Sequence, residues 1–279
     1  MAPSAPTSGL TPSSRRPLAV VTGASSGIGA EFARQLASQG HDLVLVARRR
    51  ERLQSLADAL ARAHGVEAHI CVADLGKPTA ESIVLDRLEG RKVDVLVLAA
   101  GYSLATTFNA TSWKDEHDFL TTTVVSVAAL AHAVLPGMVA QGRGRIFTIS
   151  SLLALSPGGP GHTLYPAAKS FVLKFSLSLD AEVRAKGVRV TCVLPGSTSS
   201  EFQTANGTAD AMKTMPGFLI STPKQVVDSA FAAAARGQVT VIPGWHNQLA
   251  ALVFKLAPTP VLRALSAAAS RRFAQGDPS

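Results

Sequence analysis

The sequence predicts an α/β fold, a doubly wound and mainly parallel sheet of seven strands held between two layers of helices. Short runs of Val, Leu, Ile and Ala without polar alternation recur between helical stretches, as strands buried on both faces do. A glycine-rich turn, Gly23-Ala-Ser-Ser-Gly27-Ile-Gly29, separates the first such run from the first helix. No internal repeat or linker divides the series.

Residues 1–17 are Ser, Thr and Pro with a single leucine, too little apolar surface to order themselves, and are expected to form a flexible tail. The tail lacks the apolar central run of a secretory signal, and none follows Arg15-Arg16, so the cytoplasm is the expected location. Leu18–Thr22 reads as the first strand and Ala30–Gln39 as the first helix, closed by Gly40. Asp42–Ala47 is the second strand, followed by a helix over Arg50–His64 and a third strand at Ala68–Ala73. A helix over Thr79–Glu89 leads to Val93–Leu98, and a long helix over Phe119–Ala140 leads to Gly144–Ser150. Tyr165–Lys186 is helical and Val188–Leu194 is the sixth strand. Residues 18–244 thus form one domain, with 245–279 as a helical extension.

The chain has 279 residues, 47% hydrophobic and 16% charged, enough for one domain with a thick core. Its two cysteines, Cys71 and Cys192, lie in Val-rich runs, which suits core packing in a reducing compartment and neither a disulfide framework nor a metal site. The net charge of +8 fits a phosphate-bearing ligand or an anionic surface. No basic run is interleaved with aromatics, so nucleic acid is not expected as a partner.

After a buried strand and before a helix, the glycine turn acquires a chemical meaning. Gly23 permits the sharp turn, Gly27 allows backbone to approach a pyrophosphate, and Gly29 lets the helix pack closely. The N–H groups around Ser25, Ser26 and Ile28 face the anion, which is the logic of a Rossmann-type dinucleotide site. Arg48 follows the second strand, where an acidic residue would accept from a ribose 2′-hydroxyl; a guanidinium suits a 2′-phosphate, so NADP(H) is favoured over NAD(H). Asp74-Leu75 ends the third strand near the expected adenine, and capping of the next helix is an equal account of Asp74.

Tyr165 and Lys169 are four apart, so in a helix phenol and ammonium stand on one face. A phenol titrates near pH ~10, and the cation is expected to bring it down into the range of a general acid or base. Ser151, upstream, can hold a carbonyl oxygen.

Thr22-Gly23-Ala-Ser-Ser-Gly27-Ile-Gly29, Ala99-Ala100-Gly101, Ser151, Tyr165-x-x-x-Lys169 and Pro195-Gly196 occur in the order found in short-chain dehydrogenases/reductases, and the chain resembles that family from Leu18 to about Pro243. The branch carrying Leu135-Pro136-Gly137-Met138 and Ile242-Pro243-Gly244 is the most similar. The resemblance implies that Tyr165 protonates a carbonyl oxygen, Lys169 lowers its pKa and binds the nicotinamide ribose, Ser151 orients the carbonyl, and backbone at Thr198 receives the carboxamide. It also implies cofactor contacts along Ala99, Ala100, Gly101, Pro195 and Gly196, and subunit contacts through the two long helices, hence a homo-oligomer. The chain departs from the family at Leu98-Ala99, where two asparagines are usual, and at Thr123, where an asparagine usually holds a relay water. Ser151 also lies one residue further from Tyr165 than is common, around Gly158-Gly159. These departures keep a second reading open, a dinucleotide-binding protein with little catalysis that acts as a regulator or assembly subunit.

Phe202, Met212, Met215 and Phe218 lie in a Gly/Thr-rich segment, residues 197–222, that reads as a lid over a bulky, apolar carbonyl or alcohol. His162 is either a loop residue or a substrate contact. Leu249–Ala257 is too short to span a bilayer. It suits packing on the lid or a second subunit, or a peripheral place in a membrane interface with Trp245, Arg271 and Arg272 as anchors.

Overall fold

β1 (Leu18–Thr22) is buried at all of its positions because it runs through the middle of the sheet. The computed structural model describes residues 16–104, 106–159, 163–199, 216–258 and 260–263. Besides β1, the strands are β2 (Asp42–Ala47), β3 (Ala68–Val72), β4 (Val95–Leu98), β5 (Gly144–Ile149), β6 (Val188–Val193) and β7 (Thr240–Val241). Their order is β3-β2-β1-β4-β5-β6-β7, and all the pairings are parallel. β7 has two residues, too few to stand out as a run in the sequence.

Helices cover both faces. α1 (Gly27–Ser38), α2 (Arg50–His64) and α7 (Pro223–Ala235) bury Phe32, Leu36, Leu53 and Val226 against one face, where Phe32, Phe147 and Phe231 pack with ring centroids 5.1–5.5 Å apart. α3 (Ala80–Asp86), α5 (Ser126–Gln141) and α6 (Leu164–Val183) cover the other through Val84, Leu130, Met138, Val172 and Leu179. α7 starts on a capping box between Thr222 and Gln225 with Pro223 in its first turn.

Some boundaries differ from the sequence reading. α1 begins at Gly27, three residues before Ala30, because the glycines that look like a pure turn also adopt its first turn. The helix expected from Phe119 starts as α4 (Trp113–Leu120), where Ser112 accepts from the Asp115 N–H, so a polar stretch that reads as loop is helical by virtue of its cap. It passes through a π-helical segment, Thr121–Val125, into α5. The continuous helical stretch Trp113–Gln141 contains a segment apolar and long enough to cross a membrane, yet Val127, Leu130, Ala131, Val134 and Met138 bury into the core of the sheet. α6 tightens into a 3-10 turn at Arg184–Lys186.

This order puts the topological switch between β1 and β4, so a crevice opens at their carboxyl ends. The ends of β5 and β6 border it, tied together by Ser150 N–H to Val193 O (2.8 Å) and Leu152 N–H to Pro195 O (2.9 Å).

Candidate active site

The glycine turn leaves β1 under tight steric control. Gly23 has φ +68°, and a Cβ there would lie 2.8 Å from Ala99 O; a Cβ on Gly29 would strike the Gly23 carbonyl oxygen. Ser26 stands at the N-cap of α1, but its side chain takes none of the helix's N–H groups, and its Oγ accepts instead from Arg49 (3.0 Å). The first-turn amides of α1 are thereby left facing the crevice, a geometry suited to an anion.

Three arginines that look alike in sequence have separate places. Arg48, exposed just beyond β2, and Asp74 both act electrostatically on the Tyr102 phenol. Burial first, then Asp118, push that phenol up to about 12, with Arg48 opposing. Arg49, unremarked in the sequence, folds back onto the glycine turn and donates through Nε and Nη2 to Ser25 Oγ (3.2 and 2.9 Å). Arg50 opens α2. Only the turn after β2 decides which guanidinium points back.

Asp74 does not cap α3, whose N-cap is Thr79; its Oδ1 accepts from Gly76 N–H (3.1 Å), holding the loop that carries Leu75, whose side chain is buried in the core. Of the two accounts of Asp74, capping therefore falls, because five residues separate it from the helix start. Ala99, Ala100 and Gly101 follow β4, and a Cβ on Gly101 would sit 3.5 Å from Lys169 Nζ. The brace that two asparagines supply in the resembled family is made here by Thr22. Its Oγ1 donates to Val97 O (3.2 Å) and accepts from the N–H groups of Ala99 (3.0 Å) and Ala100 (3.1 Å).

At the ends of β5 and α6 the structure brings Ser151, Tyr165 and Lys169 together. Ser151 and Tyr165 are joined by a side-chain hydrogen bond. Lys169, 5% exposed, donates to Ile149 O (2.9 Å) and holds its Nζ 5.7 Å from the centroid of the Tyr165 ring. Ser150 Oγ donates to Lys169 O (2.7 Å), so the first serine pins α6 and the second reaches the phenol. The extra loop residue leaves the pair joined.

The expected depression of the phenol is not what this arrangement produces. Burial pushes Tyr165 up to about 12, only partly offset by the Ser151 hydrogen bond. Burial also brings Lys169 down to about 8, against a small opposing effect from Cys192. Spacing puts the two groups on one face, but desolvation, which sequence does not display, governs both shifts. Phe119, buried, lies between Tyr102 (5.6 Å) and Tyr165 (6.4 Å) and walls this end of the crevice.

Thr123 is 1% exposed within the π-helical segment, and among the described residues its Oγ1 has no hydrogen-bond partner. Beyond β6, Thr198 is buried, with its Oγ1 donating to Gly196 O (3.3 Å), and Ser199 and Ser221 join the two ends of the expected lid. A Cβ on Gly196 would strike Asn247 Oδ1, so the Pro195-Gly196 turn rests on a buried asparagine that the sequence reading did not single out. His162, Phe202, Met212 and Met215 lie outside the described residues, as does the Phe218 side chain. No group of three or more His, Cys, Asp or Glu that could hold a metal occurs among the described residues.

A family model described as short chain dehydrogenase matches residues 17–211. An uncharacterized oxidoreductase of Myxococcus xanthus is 35% identical over 248 residues, 88% of this chain and 94% of its own length. Among solved structures, a short-chain dehydrogenase from Sphingobium yanoikuyae in complex with NADPH aligns with a TM-score of 0.77 at 35% identity, covering 82% of this chain and 88% of that one. The bulky-bulky ketone specific alcohol dehydrogenase from Comamonas testosteroni aligns with a TM-score of 0.74 at 31% identity, covering 84% and 88%. The family match covers most of the chain and the Myxococcus relative nearly all of it: this chain belongs to the short-chain dehydrogenase family. It is an oxidoreductase of that family.

Proposed function

We propose that this chain is an NADP(H)-dependent reductase and dehydrogenase that interconverts a bulky, apolar ketone or aldehyde and its alcohol. The observation that carries the reading is the Ser151–Tyr165 hydrogen bond with the buried Lys169 ammonium behind it, where β5 ends and α6 begins, beside Gly101 after β4. The cradle fits a dinucleotide: Gly23 and Gly29 leave no room for a side chain, the α1 amides face outward, and Arg48 and Arg49 flank the expected 2′-phosphate position. Its NADPH-bound structural neighbour supports the same cofactor.

NADPH, when bound, supplies hydride to the substrate carbon. Ser151 Oγ–H holds the carbonyl oxygen, and Tyr165 Oη–H gives it a proton as negative charge develops there. A phenol near 12 is protonated throughout the neutral range, as a proton donor must be. The phenolate left behind is stabilised by the Ser151 hydroxyl and by the Lys169 charge. The reverse direction removes a proton from the alcohol by the same route.

The apolar 3-10 turn Leu152–Leu155 beside Ser151 supports a bulky apolar substrate, as does the ketone specificity of the Comamonas neighbour. The exposed Phe171 on α6, stacked on the partly buried Phe175, supports a homo-oligomer, and two buried free thiols support a cytoplasmic site.

The test is a screen of ketones, aldehydes and alcohols with NADPH and NADH, comparing wild type with Tyr165→Phe. General acid loss is expected to lower kcat by about 10²–10⁴ while NADPH binding persists. Turnover independent of Tyr165, or none on any substrate, rejects the proposal; the second result favours a dinucleotide-binding regulator.

A further inference from the structure

Helix α8 (Trp245–Leu256) is packed inside out. Its buried side carries Asn247 and Ala251, while Trp245 (69% exposed), Leu249 (55%), Leu252 (50%), Val253 (42%) and Leu256 (70%) face outward. Their spacing places these five large apolar side chains on a single stripe of the helix. Val261, 49% exposed, lies just beyond.

The helix is not free to roll. Asn247 Nδ2 donates to Pro243 O (2.7 Å), Asn247 Oδ1 abuts Gly196, and Gln248 Nε2 donates to Ile242 O (3.1 Å). These contacts lock the small residues inward and hold the stripe at the surface. An apolar patch so maintained marks a contact site.

Charge decides between occupants. From Trp245 to Arg263 the charged residues are Lys255, which flanks the stripe, and Arg263, both exposed; no Asp or Glu occurs among them. The sequence continues with Arg271 and Arg272, and the chain as a whole carries +8. Two copies meeting through this face would bring only like charges together, without an acidic partner. An anionic lipid surface matches both properties, taking up the stripe and attracting the cations around it. A tryptophan at one end of the stripe suits the headgroup level.

We propose that α8 seats the chain on the surface of an anionic phospholipid bilayer, with the Trp245–Leu249–Leu252–Leu256 stripe in the interface and Lys255 and Arg263 among the headgroup phosphates. Only the face of one helix enters the lipid. The proposal is independent of the chemistry at Tyr165, since binding is read without turnover.

The experiment is co-sedimentation of the full chain with vesicles of phosphatidylcholine alone, or of phosphatidylcholine and phosphatidylglycerol in equal parts, at low and high salt. Wild type is expected to bind the mixed vesicles, more weakly at high salt and more weakly again to phosphatidylcholine. Leu252→Gln/Leu256→Gln is expected to lose about tenfold or more in partitioning, since a large share of the stripe's apolar area goes with them. Lys255→Glu is expected to lose about tenfold on mixed vesicles only. Thermal melting and NADPH binding check that each variant is folded. The wild-type arm needs no variant, and Leu249→Gln tests the stripe again if the double variant does not fold. Failure of wild type to bind either vesicle overturns the proposal, as does binding that the leucine variants leave unchanged. So does a dimer in lipid-free analytical ultracentrifugation that Leu252→Gln/Leu256→Gln splits, which would give the stripe to a second copy.

Discussion

Replacing Lys169 by Met is expected to stabilise the protein near neutral pH while removing its activity. The ammonium is 5% exposed, and burial brings it from an ordinary value of 10.5 down to about 8. Below about pH 8 the lysine is charged in folded and unfolded chains alike, and the folded chain bears the full cost of the buried charge. From the size of the shift that cost is about 3 kcal/mol. Met fills the space of the lysine stem but gives up the hydrogen bond to Ile149 O, worth about 1 kcal/mol. The net gain at pH 7 is therefore about 2 kcal/mol. As pH rises from about 8 to 10.5 the folded lysine loses its proton first, the unfolded chain binds more protons, and wild type gains stability. The advantage of Met shrinks and then reverses by about the value of the lost hydrogen bond. Denaturant unfolding of the cofactor-free protein at several pH values between neutrality and pH ~10 measures this directly. A variant less stable than wild type at pH 7, or a gain that does not change with pH, would refute the argument.

Arg48→Ala and Arg49→Ala should each weaken NADPH by about tenfold or more, the loss of a charge-assisted contact, with a much smaller effect on NADH. Calorimetric titration of both cofactors decides it, and equal losses remove the 2′-phosphate assignment. Gly29→Ala puts a methyl group into the Gly23 carbonyl and is expected to cost about 1–3 kcal/mol and to depress dinucleotide binding, measured by thermal shift with and without NADPH. Thr123→Val removes a buried hydroxyl that lacks a partner among the described residues and is expected to raise stability by about 1 kcal/mol. A fall in stability, or in kcat at unchanged KM, would show that this hydroxyl serves the site.

The sequence alone determined what depends on local geometry and on burial in bulk. β1, the glycine turn and α2 are legible because a strand buried on both faces, a turn that excludes side chains and an amphipathic helix each leave a periodic or compositional mark. The pairing of Tyr165 with Lys169 is legible because an α-helix repeats every four residues or so. Tertiary structure decided what depends on direction and desolvation. Arg49 rather than its neighbours grips Ser25 and Ser26, Thr22 braces β4 where asparagines are missing, and Asn247 supports Gly196 from fifty residues away. Nothing local distinguishes these side chains from their neighbours, since their partners come from other strands and helices. The phenol near 12 and the ammonium near 8 belong to the same class, because the free energy of a charge depends on how much water the whole fold has removed from around it.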